Sequence, residues 1–455
     1  MSIEILKNNN GAMEVCSLIE SYGHRAYCVG GCVRDALMCK EPSDIDITSS
    51  ASPDLVAEIF SDRGCRVVLS GVSHGTVTVI YKGKSYEITT MRRDGEYRDC
   101  RHPERVTYVD DIEVDLSRRD FTINAMAYSY SEDKIYDRFG GIEDILSGTI
   151  RCVGVAAVRF SEDALRILRA LRFASVLGFR IEPDTKNALI KSAEMIGGLS
   201  RERIKHELDR LLLGNHAGDV IYEYSDVLSY VIAEIAQCKG FLQHSKYHSY
   251  DVLGHICKAV DATPPFLHLR YAALLHDISK PQTFSLDENG EGHFYGHAKK
   301  SAEIADRVTR ELRFDANTRD AVLRLVSHHD TPLPTEHRLI KRRVSSLGAE
   351  TFSDLIRLCR ADCLAQSSIV RYRLDIYDEI ENRFNEIIDS KECFDRTSLK
   401  VNGKDIIELG VNAGKNVGVV LSYLLGEVID GRLENERESL MAEAEKYIEL
   451  ESLWS

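Results

Sequence analysis

Residues 27–48 read YCVGGCVRDALMCKEPSDIDIT, and this stretch decides the fold type because it joins a glycine turn, a basic helix start and a pair of aspartates. The apolar run that begins at Ala26 predicts a short strand. It stops at Gly30 and Gly31, where a backbone can turn sharply and come close to a ligand. A helix is predicted from about Cys32; its first-turn amides lack intrahelical acceptors and suit phosphate oxygens, with Arg34 adding a forked cation. Asp44-Ile45-Asp46-Ile47 alternates polar and apolar, so on a strand both carboxylates face one way and both isoleucines the other. Two hard oxygen ligands side by side suit magnesium bridged to substrate phosphates. Either piece alone reads equally well as an ordinary turn or a capped surface loop. Both within one strand-turn-helix-strand unit point to a metal-dependent, nucleotide-handling site.

Working outward, 455 residues are too many for one small core, and three or four domains are the natural expectation. Lys plus Arg number 58 against 72 Asp plus Glu, a net charge of −14. That balance argues against a simple nucleic-acid-coating protein, so an RNA ligand needs a local basic stripe. Twelve cysteines without a C-x-x-C pair and without a secretory segment predict free thiols in a reducing cytoplasm. No apolar run approaches the ~20 residues that span a bilayer, so no membrane partner is expected. Oligomeric state is not specified by any of these features.

Helical and strand signals alternate up to about residue 149: a helix around Met13–Tyr22, strands near Ala26, Ile45 and Arg66, and a hairpin across Lys82-Gly83. Beyond Val158 apolar residues recur at helical spacing almost to the end, interrupted by a polar loop at residues 286–292 and a breaker at residues 331–334. The predicted class is α+β, with a mixed-sheet head followed by an all-helical body.

The GG-x-V-R-D and D-x-D elements resemble those of nucleotidyltransferases of the DNA polymerase beta superfamily, and more narrowly the bacterial tRNA nucleotidyltransferases that add CCA to tRNA 3′ ends. The resemblance implies Gly31 and Arg34 as triphosphate contacts, and Asp44 and Asp46 as magnesium ligands. It implies a role for Glu87, on the strand after the hairpin turn, in orienting the attacking hydroxyl or helping to hold metal. Ser117–Tyr128, SRRDFTINAMAY, is similar to the family's second motif and brings in Arg119 as a triphosphate contact. A plainer reading pairs Arg118 and Arg119 with Asp115 and Asp120. Residues 92–105, RRDGEYRDCRHPER, hold five arginines with Tyr97 and His102 and resemble the loop of members that complete CCA.

The segment RFSEDALRILRALRFAS predicts a helix with Ser161 as its N-cap and Glu162 and Asp163 in the first turn. Asp163 and Arg166 stand three apart and neighbour one another on its surface. Together a carboxylate acceptor and an arginine donor fork can meet the Watson–Crick edge shared by cytosine and adenine, whose amino group guanine and uracil replace with a carbonyl. The alternative is a simple surface ion pair. The E-D-x-x-R pattern resembles the family's amino-acid template, and Arg169 and Arg172 continue it as nucleotide contacts.

Farther along, His276-Asp277 ends an apolar helix, with His255 upstream, His328 and His329 downstream, and Asp362 in CRADCLAQ. This order is similar to HD-type metal-dependent phosphohydrolase domains, which implies His255, His276, Asp277 and Asp362 as ligands of a second divalent metal. A scaffold that keeps the helices without the metal is the alternative. His297 resembles a further histidine position of such domains and is not assigned to the metal. Residues 400–440 are similar to the helical tail of the bacterial tRNA enzymes. There Asn402, Lys404 and Lys415 are either phosphate contacts or plain cap residues.

The expected architecture is a nucleotidyltransferase head over residues 1–149, a helical neck over 150–235, an HD-type domain over 240–375 and a tRNA-binding tail over 376–455. The expected partners are tRNA, CTP and ATP. Two rivals stand beside this reading. A poly(A) polymerase of the same superfamily shares the head but carries a G-[RK]-[RK]-F-type segment where this chain has Ser70-Gly71-Val-Ser-His-Gly75. The other rival is a metal-dependent phosphohydrolase whose head only binds RNA.

Overall fold

The computed structural model describes residues 2–69, 75–95 and 106–451. Serine 70, the four residues after it, and Tyr97 and His102 of the arginine-rich segment therefore lie outside the described residues. The chain forms two compact units, one of residues 1–216 with 226–231, the other of residues 217–225 with 232–455.

The first unit is built on a seven-stranded mixed sheet. Its strands are β1 (Ala26–Val29), β2 (Asp46–Ser49), β3 (Arg66–Val68), β4 (Thr76–Tyr81), β5 (Lys84–Thr90), β8 (Ala127–Ser129) and β9 (Lys134–Tyr136), in the order β3-β4-β5-β2-β1-β8-β9. Strands β6 (Arg92–Asp94) and β7 (Val106–Tyr108) pair separately. The β4–β5 hairpin turns on Lys82 and Gly83, both at positive φ (49° and 79°), the geometry that matches the right-handed twist of the flanking strands. All four β1 residues are buried, and Tyr27 and Val29 join Met91, Ile112, Leu116, Ala125, Ala127 and Val153 in one core cluster.

Two registers place the chemistry. β1 and β2 run antiparallel with Cys28 opposite Ile47, so the glycine turn that ends β1 meets the start of β2. β2 and β5 run parallel with Asp46 opposite Glu87, which puts both carboxylates on one face. Asp44 falls outside β2, in the bend that precedes it; the two aspartates do not share a strand as the alternation predicts.

The helix expected from Ser161 is two helices, Ala156–Glu162 and Leu165–Leu177, broken at Asp163. Asp163, the C-cap of the first helix, has extended backbone (φ −146°, ψ 103°), and its Oδ1 accepts from Leu165 N at 3.0 Å, satisfying the first free amide of the second helix, whose N-cap is Ala164. Ser161 lies inside the first helix and its hydroxyl bonds back to Val158 O at 2.8 Å. The second helix ends at Gly178 in the left-handed region (φ 72°) and packs on helix Arg201–Leu212.

The second unit is helical apart from a two-stranded ribbon, Ser285–Leu286 with Gly292–His293, which closes the predicted polar loop. Helices Val252–Ala262, Leu267–Leu275, His297–Glu311, Ala316–His328 and Ala349–Ala365 carry or directly precede His255, His276, Asp277, His297, His329 and Asp362. Its C-terminal helices close over a separate core that includes Val401, Ile406, Val420, Leu424, Leu440 and Ile448. Asn402 forms a capping box with Asp405, which accounts for that residue as a helix cap. No helix among the described residues is long and apolar enough to cross a membrane.

Candidate active site and metal centre

The glycine turn, the start of β2 and helix Leu165–Leu177 enclose a cavity of about 630 Å³. Gly30, Gly31, Arg34, Asp44, Asp46, Arg119, Asp120, Arg169 and Arg172 line it, together with Asn124, Phe173 and Arg210. The sequence-predicted residues Gly31, Arg34, Asp44, Asp46, Arg119, Arg169 and Arg172 are thus brought together from four separate stretches of chain. Glu87, Asp163 and Arg166 are not part of this lining.

Gly30 is the glycine this geometry requires. It has φ 75°, and a Cβ there would sit 2.9 Å from Arg119 Nη1, whereas one at Gly31 would meet nothing nearer than Arg34 Nη2 at 3.6 Å. Asp44 is exposed and accepts from Ser43 Oγ at 3.0 Å. Asp46 is half-buried; burial pushes its carboxyl up, Arg119 pulls it down, and the charges of Glu87 and Asp44 push it up again. A carboxylate held up partly by two like charges is one that a cation would relieve. Exposed Glu87 beside Asp46 therefore contributes charge to the site without lining the cavity.

Facing these acids is an arginine wall. Arg34 donates to Asn124 Oδ1 at 2.6 Å and pairs with Asp35 at 2.8 Å. Arg119 reaches Asp115 only at 3.4 Å, and its buried Nε has no partner, an orphaned donor that an anionic ligand could satisfy. Arg118 takes the closer contact with Asp115 (2.8 Å), so the plain pairing expected for Arg118 and Arg119 is realised at Asp115 alone. Asp120 instead accepts from Arg169 Nε (2.7 Å), Asn124 Nδ2 (3.1 Å) and Phe121 N (2.8 Å). Burial would raise its carboxyl, but the Arg169 guanidinium and these donors bring it down to about 2. Buried Glu207, on helix Arg201–Leu212, holds Arg172 at 3.1 Å. Burial, with Arg169 and Arg210 nearby, pulls the Arg172 guanidinium down to about 10, which leaves it charged at neutral pH.

The Phe173 ring is a feature the sequence reading missed. The guanidiniums of Arg34, Arg169 and Arg172 lie 5.2, 5.4 and 4.2 Å from its centroid, and Phe121 packs edge-on against it at 5.8 Å. An aromatic face among three cations fixes their positions and attracts them through its quadrupole. Its signal in the sequence was its neighbourhood, one residue after Arg172 and four after Arg169. Arg210, on helix Arg201–Leu212, is a second lining residue not foreseen from the sequence.

Asp163 and Arg166 do not pair with each other. Asp163 Oδ2 accepts from Arg203 Nη2 at 2.8 Å. Buried Arg166 donates to Glu162 Oε2 (2.6 Å), Arg159 O (3.0 Å) and Arg118 O (3.0 Å). Asp163 is extended at the break between the two helices and spends its oxygens on Leu165 N and Arg203, so Arg166 pairs with Glu162 at the end of the first helix.

In the second unit, His255, His276, Asp277 and Asp362 converge as expected. His255 Nε2 lies 3.1 Å from Asp277 Oδ2 and 2.9 Å from Asp362 Oδ1, and 3.2 Å from His276 Nε2. His255 and His276 are fully buried. Burial would pull His276 down, but Asp277 and Asp362 push it up to about 10. The carboxyls of Asp277 and Asp362 are held well below the usual range, against burial, chiefly by the facing histidines. Such a centre demands positive charge in its middle, and imidazole nitrogens mixed with carboxylate oxygens are the donor set of a first-row divalent ion. His328 turns away from it toward Arg343 (3.4 Å), while His329 and His297 approach Asp277.

The comparisons with known proteins agree with both halves. Residues 26–151 match the family model of the Poly A polymerase head domain, residues 178–225 that of the probable RNA and SrmB-binding site of polymerase A, and residues 246–367 the HD domain. The chain is 31% identical over 444 residues to the CCA-adding enzyme of Ligilactobacillus salivarius (strain UCC118), covering 96% of each. It is 46% identical over 206 residues to the CCA-adding enzyme of Geobacillus stearothermophilus, covering 45% of this chain and 50% of that one. Its fold matches the crystal structure of the Bacillus stearothermophilus CCA-adding enzyme in complex with CTP with a TM-score of 0.74 and 28% identity, over 97% of this chain and 98% of that one.

Proposed function

This chain belongs to the family of CCA-adding enzymes and is a nucleotidyltransferase, and from that premise we propose that it builds CCA on tRNA 3′ ends from CTP and ATP, releasing pyrophosphate. The observation that carries the proposal is the single cavity in which Asp44 and Asp46 face Arg119, Arg169 and Arg172. A CTP-bound relative of the same fold supports the nucleotide reading.

In this reading the tRNA 3′-hydroxyl attacks the nucleotide α-phosphate and the bond to pyrophosphate breaks. Arg119, with its unpartnered Nε, receives triphosphate oxygens, and Gly30 keeps open the space beside it. Arg34, Arg169 and Arg172, held around Phe173, extend the cationic wall along the polyphosphate. Asp44 and Asp46 would hold Mg2+, which when bound lowers the pKa of the attacking hydroxyl and offsets charge developing at phosphorus. Glu87, in register with Asp46, keeps that corner negative in its absence.

Base choice is assigned to Asp163 and Arg166, the acceptor and donor of the Watson–Crick edge. Both would exchange protein partners for the base: Asp163 releases Arg203, and Arg166 releases Glu162. His255, His276, Asp277 and Asp362 would hold a divalent ion of their own, for which nitrogen-preferring metals suit the donor set. The described cysteines are free, which supports a reducing cytoplasm as the setting.

The test is product length. tRNA ending at its discriminator base, given CTP alone, should gain two residues; with CTP and ATP it should gain three and stop. A long adenylate tail from ATP alone would favour the poly(A) polymerase reading, and no extension would leave the head as an RNA-binding module.

A further inference from the structure

Five arginines line the head cavity, and four of them are tied to carboxylates: Arg34 to Asp35 at 2.8 Å, Arg119 to Asp115 at 3.4 Å, Arg169 to Asp120 at 2.7 Å and Arg172 to Glu207 at 3.1 Å. Arg210 is the fifth. It is exposed, and among the described residues no carboxylate pairs with it. We propose that Arg210, with the apolar shelf of Val176 and Leu213, receives the 3′-terminal nucleotide of the acceptor RNA, the guanidinium on its last phosphodiester and the shelf under its nucleoside. The proposal rests on the reading of this cavity as the site of nucleotide addition to an RNA 3′ end.

The contrast between tied and untied cations carries the argument. An arginine held by a carboxylate is pre-aimed, which suits an anion that returns to one position in every cycle, as a triphosphate does. An RNA end moves on by one nucleotide after each addition, and a guanidinium free to re-aim suits a phosphate that shifts. Arg210 continues the cationic wall, because it stands close enough to Arg172 to help pull that guanidinium down. The attacking hydroxyl must also enter here, since Asp44 and Asp46 line the same cavity.

The shelf points to a nucleoside. Val176 and Leu213 are 44% and 39% exposed, and both line the cavity with Leu177 and Phe173. Exposed apolar side chains offer a triphosphate nothing, but they match the faces of a base and a ribose. The base of the incoming nucleotide is assigned to Asp163 and Arg166, outside this lining, so the shelf is left for the second nucleoside of the reaction. It is also firmly built. Ser175 Oγ donates to Leu211 O at 2.6 Å and His216 N donates to Ser175 O at 3.1 Å, which staples the end of helix Arg201–Leu212 and the residues after it to helix Leu165–Leu177. Exposed Asn215, on the stapled segment, adds an amide to the lining. During CCA synthesis the terminal nucleotide is first the discriminator and then cytidine, so its subsite must tolerate different bases. A phosphate contact joined to an apolar face does so, because neither reads a base edge.

The experiment uses the full chain, CTP, and a tRNA ending at its discriminator base. Arg210→Ala should raise the KM for tRNA ~10-fold, about one charge-assisted hydrogen bond, while kcat and the KM for CTP change less than about twofold. The salt slope of tRNA binding should fall by about 1, and Arg210→Lys should recover part of the loss. Leu213→Ser should raise the KM for tRNA by a smaller factor. A second arm replaces the last phosphodiester of the tRNA with a neutral methylphosphonate. The parent should then lose ~10-fold in kcat/KM and Arg210→Ala nothing further, since both changes remove one contact. Cooperative melting checks that each variant folds, and Arg210→Gln replaces Arg210→Ala if that variant does not. A raised KM for CTP with that for tRNA unchanged would put Arg210 on the triphosphate and overturn the proposal. Additive losses from Arg210→Ala and the methylphosphonate would also overturn it, as would kinetic constants that no substitution moves. In all three cases CCA addition by the parent leaves the enzyme reading intact, and only a parent that fails to extend the tRNA removes both.

Discussion

The head cavity and the histidine–aspartate centre gather acids for a cation in opposite ways. In the head, Asp44 is exposed, Asp46 is half-buried and the facing wall is cationic. Two carboxylates leave most of an ion's coordination to be filled by water and by whatever anion the arginines hold, so metal and substrate belong together there. In the second unit the donors are two imidazoles and two carboxylates, all buried except the half-buried Asp362, and almost sufficient by themselves. An open site made of oxygen suits an ion that arrives with each nucleotide, and a more closed site of mixed nitrogen and oxygen suits an ion that stays.

The strongest way to break the comparison is at the open site. Asp46→Ala should lower nucleotide incorporation by ~10³-fold or more, because a catalytic ion supplies several kcal/mol and each ~1.4 kcal/mol is a factor of ten. tRNA binding, followed by gel retardation, should be unchanged. Retained turnover would mean that the chemistry lies elsewhere.

A resident ion should show as stability. At a free concentration ~100 times its dissociation constant it adds ~2.7 kcal/mol to the unit that binds it, roughly 5–10 °C in midpoint for a unit of this size. Scanning calorimetry of the metal-free chain with and without Mn2+ should show that rise in the unit carrying His276 and Asp277, and little change in the head without nucleotide. A rise that survives His276→Ala and disappears with Asp46→Ala would reverse the assignment of open and resident sites.

The head also stores an acid-sensitive contact. Asp120 falls from the ordinary 3.8 to about 2 on folding, so its contribution is fully present above the unfolded value and is lost as pH drops through about 2. That difference is worth ~2 kcal/mol. The stability gap between the parent and Asp120→Asn, measured by urea midpoints, should therefore narrow as pH falls from about 4 toward 2. A constant gap would mean that Asn cannot replace the packing of Asp and that the Arg169 pair contributes little.

Much of the head cavity was legible because the signals were local, whereas the second centre was legible only from the order of its residues along the chain. The D-x-D spacing and the glycine turn lie within one short segment, and the β2–β5 register then brings Glu87 to Asp46. The class was legible for the same reason, as strand and helix periods separate near Val158. What failed was competition between equivalent local signals. Ser161 and Asp163 can both accept from a first-turn amide, and it is Asp163 that does so, at Leu165 N, while Arg203, forty positions on, holds its second oxygen. Glu162 and Asp163 both suit Arg166, and Glu162 pairs with it because Asp163 is turned to Leu165 N and Arg203. Phe173 and the His297–His329 pair depend on elements that only the folded chain brings together, so periodicity had nothing to say about them.

The smallest expected effect is the most discriminating, because it asks whether Asp163 and Arg166 read bases or only hold two helices together. Arg166 in this structure is bound to Glu162, Arg159 O and Arg118 O, contacts that a purely structural arginine would make. If it also donates to the incoming base, Arg166→Ala should blur the choice between the correct and incorrect nucleotide by ~10-fold, about one hydrogen bond's worth, and change the KM for triphosphate less. Glu162→Ala supplies the contrast, since it removes the competing partner and leaves the guanidinium free for a base. Selectivity that falls in Arg166→Ala and holds in Glu162→Ala locates the readout at the arginine. Equal loss in both variants would mean that the Glu162–Arg166 pair sets the geometry of the break at Asp163, and that the base is chosen by another surface of the cavity.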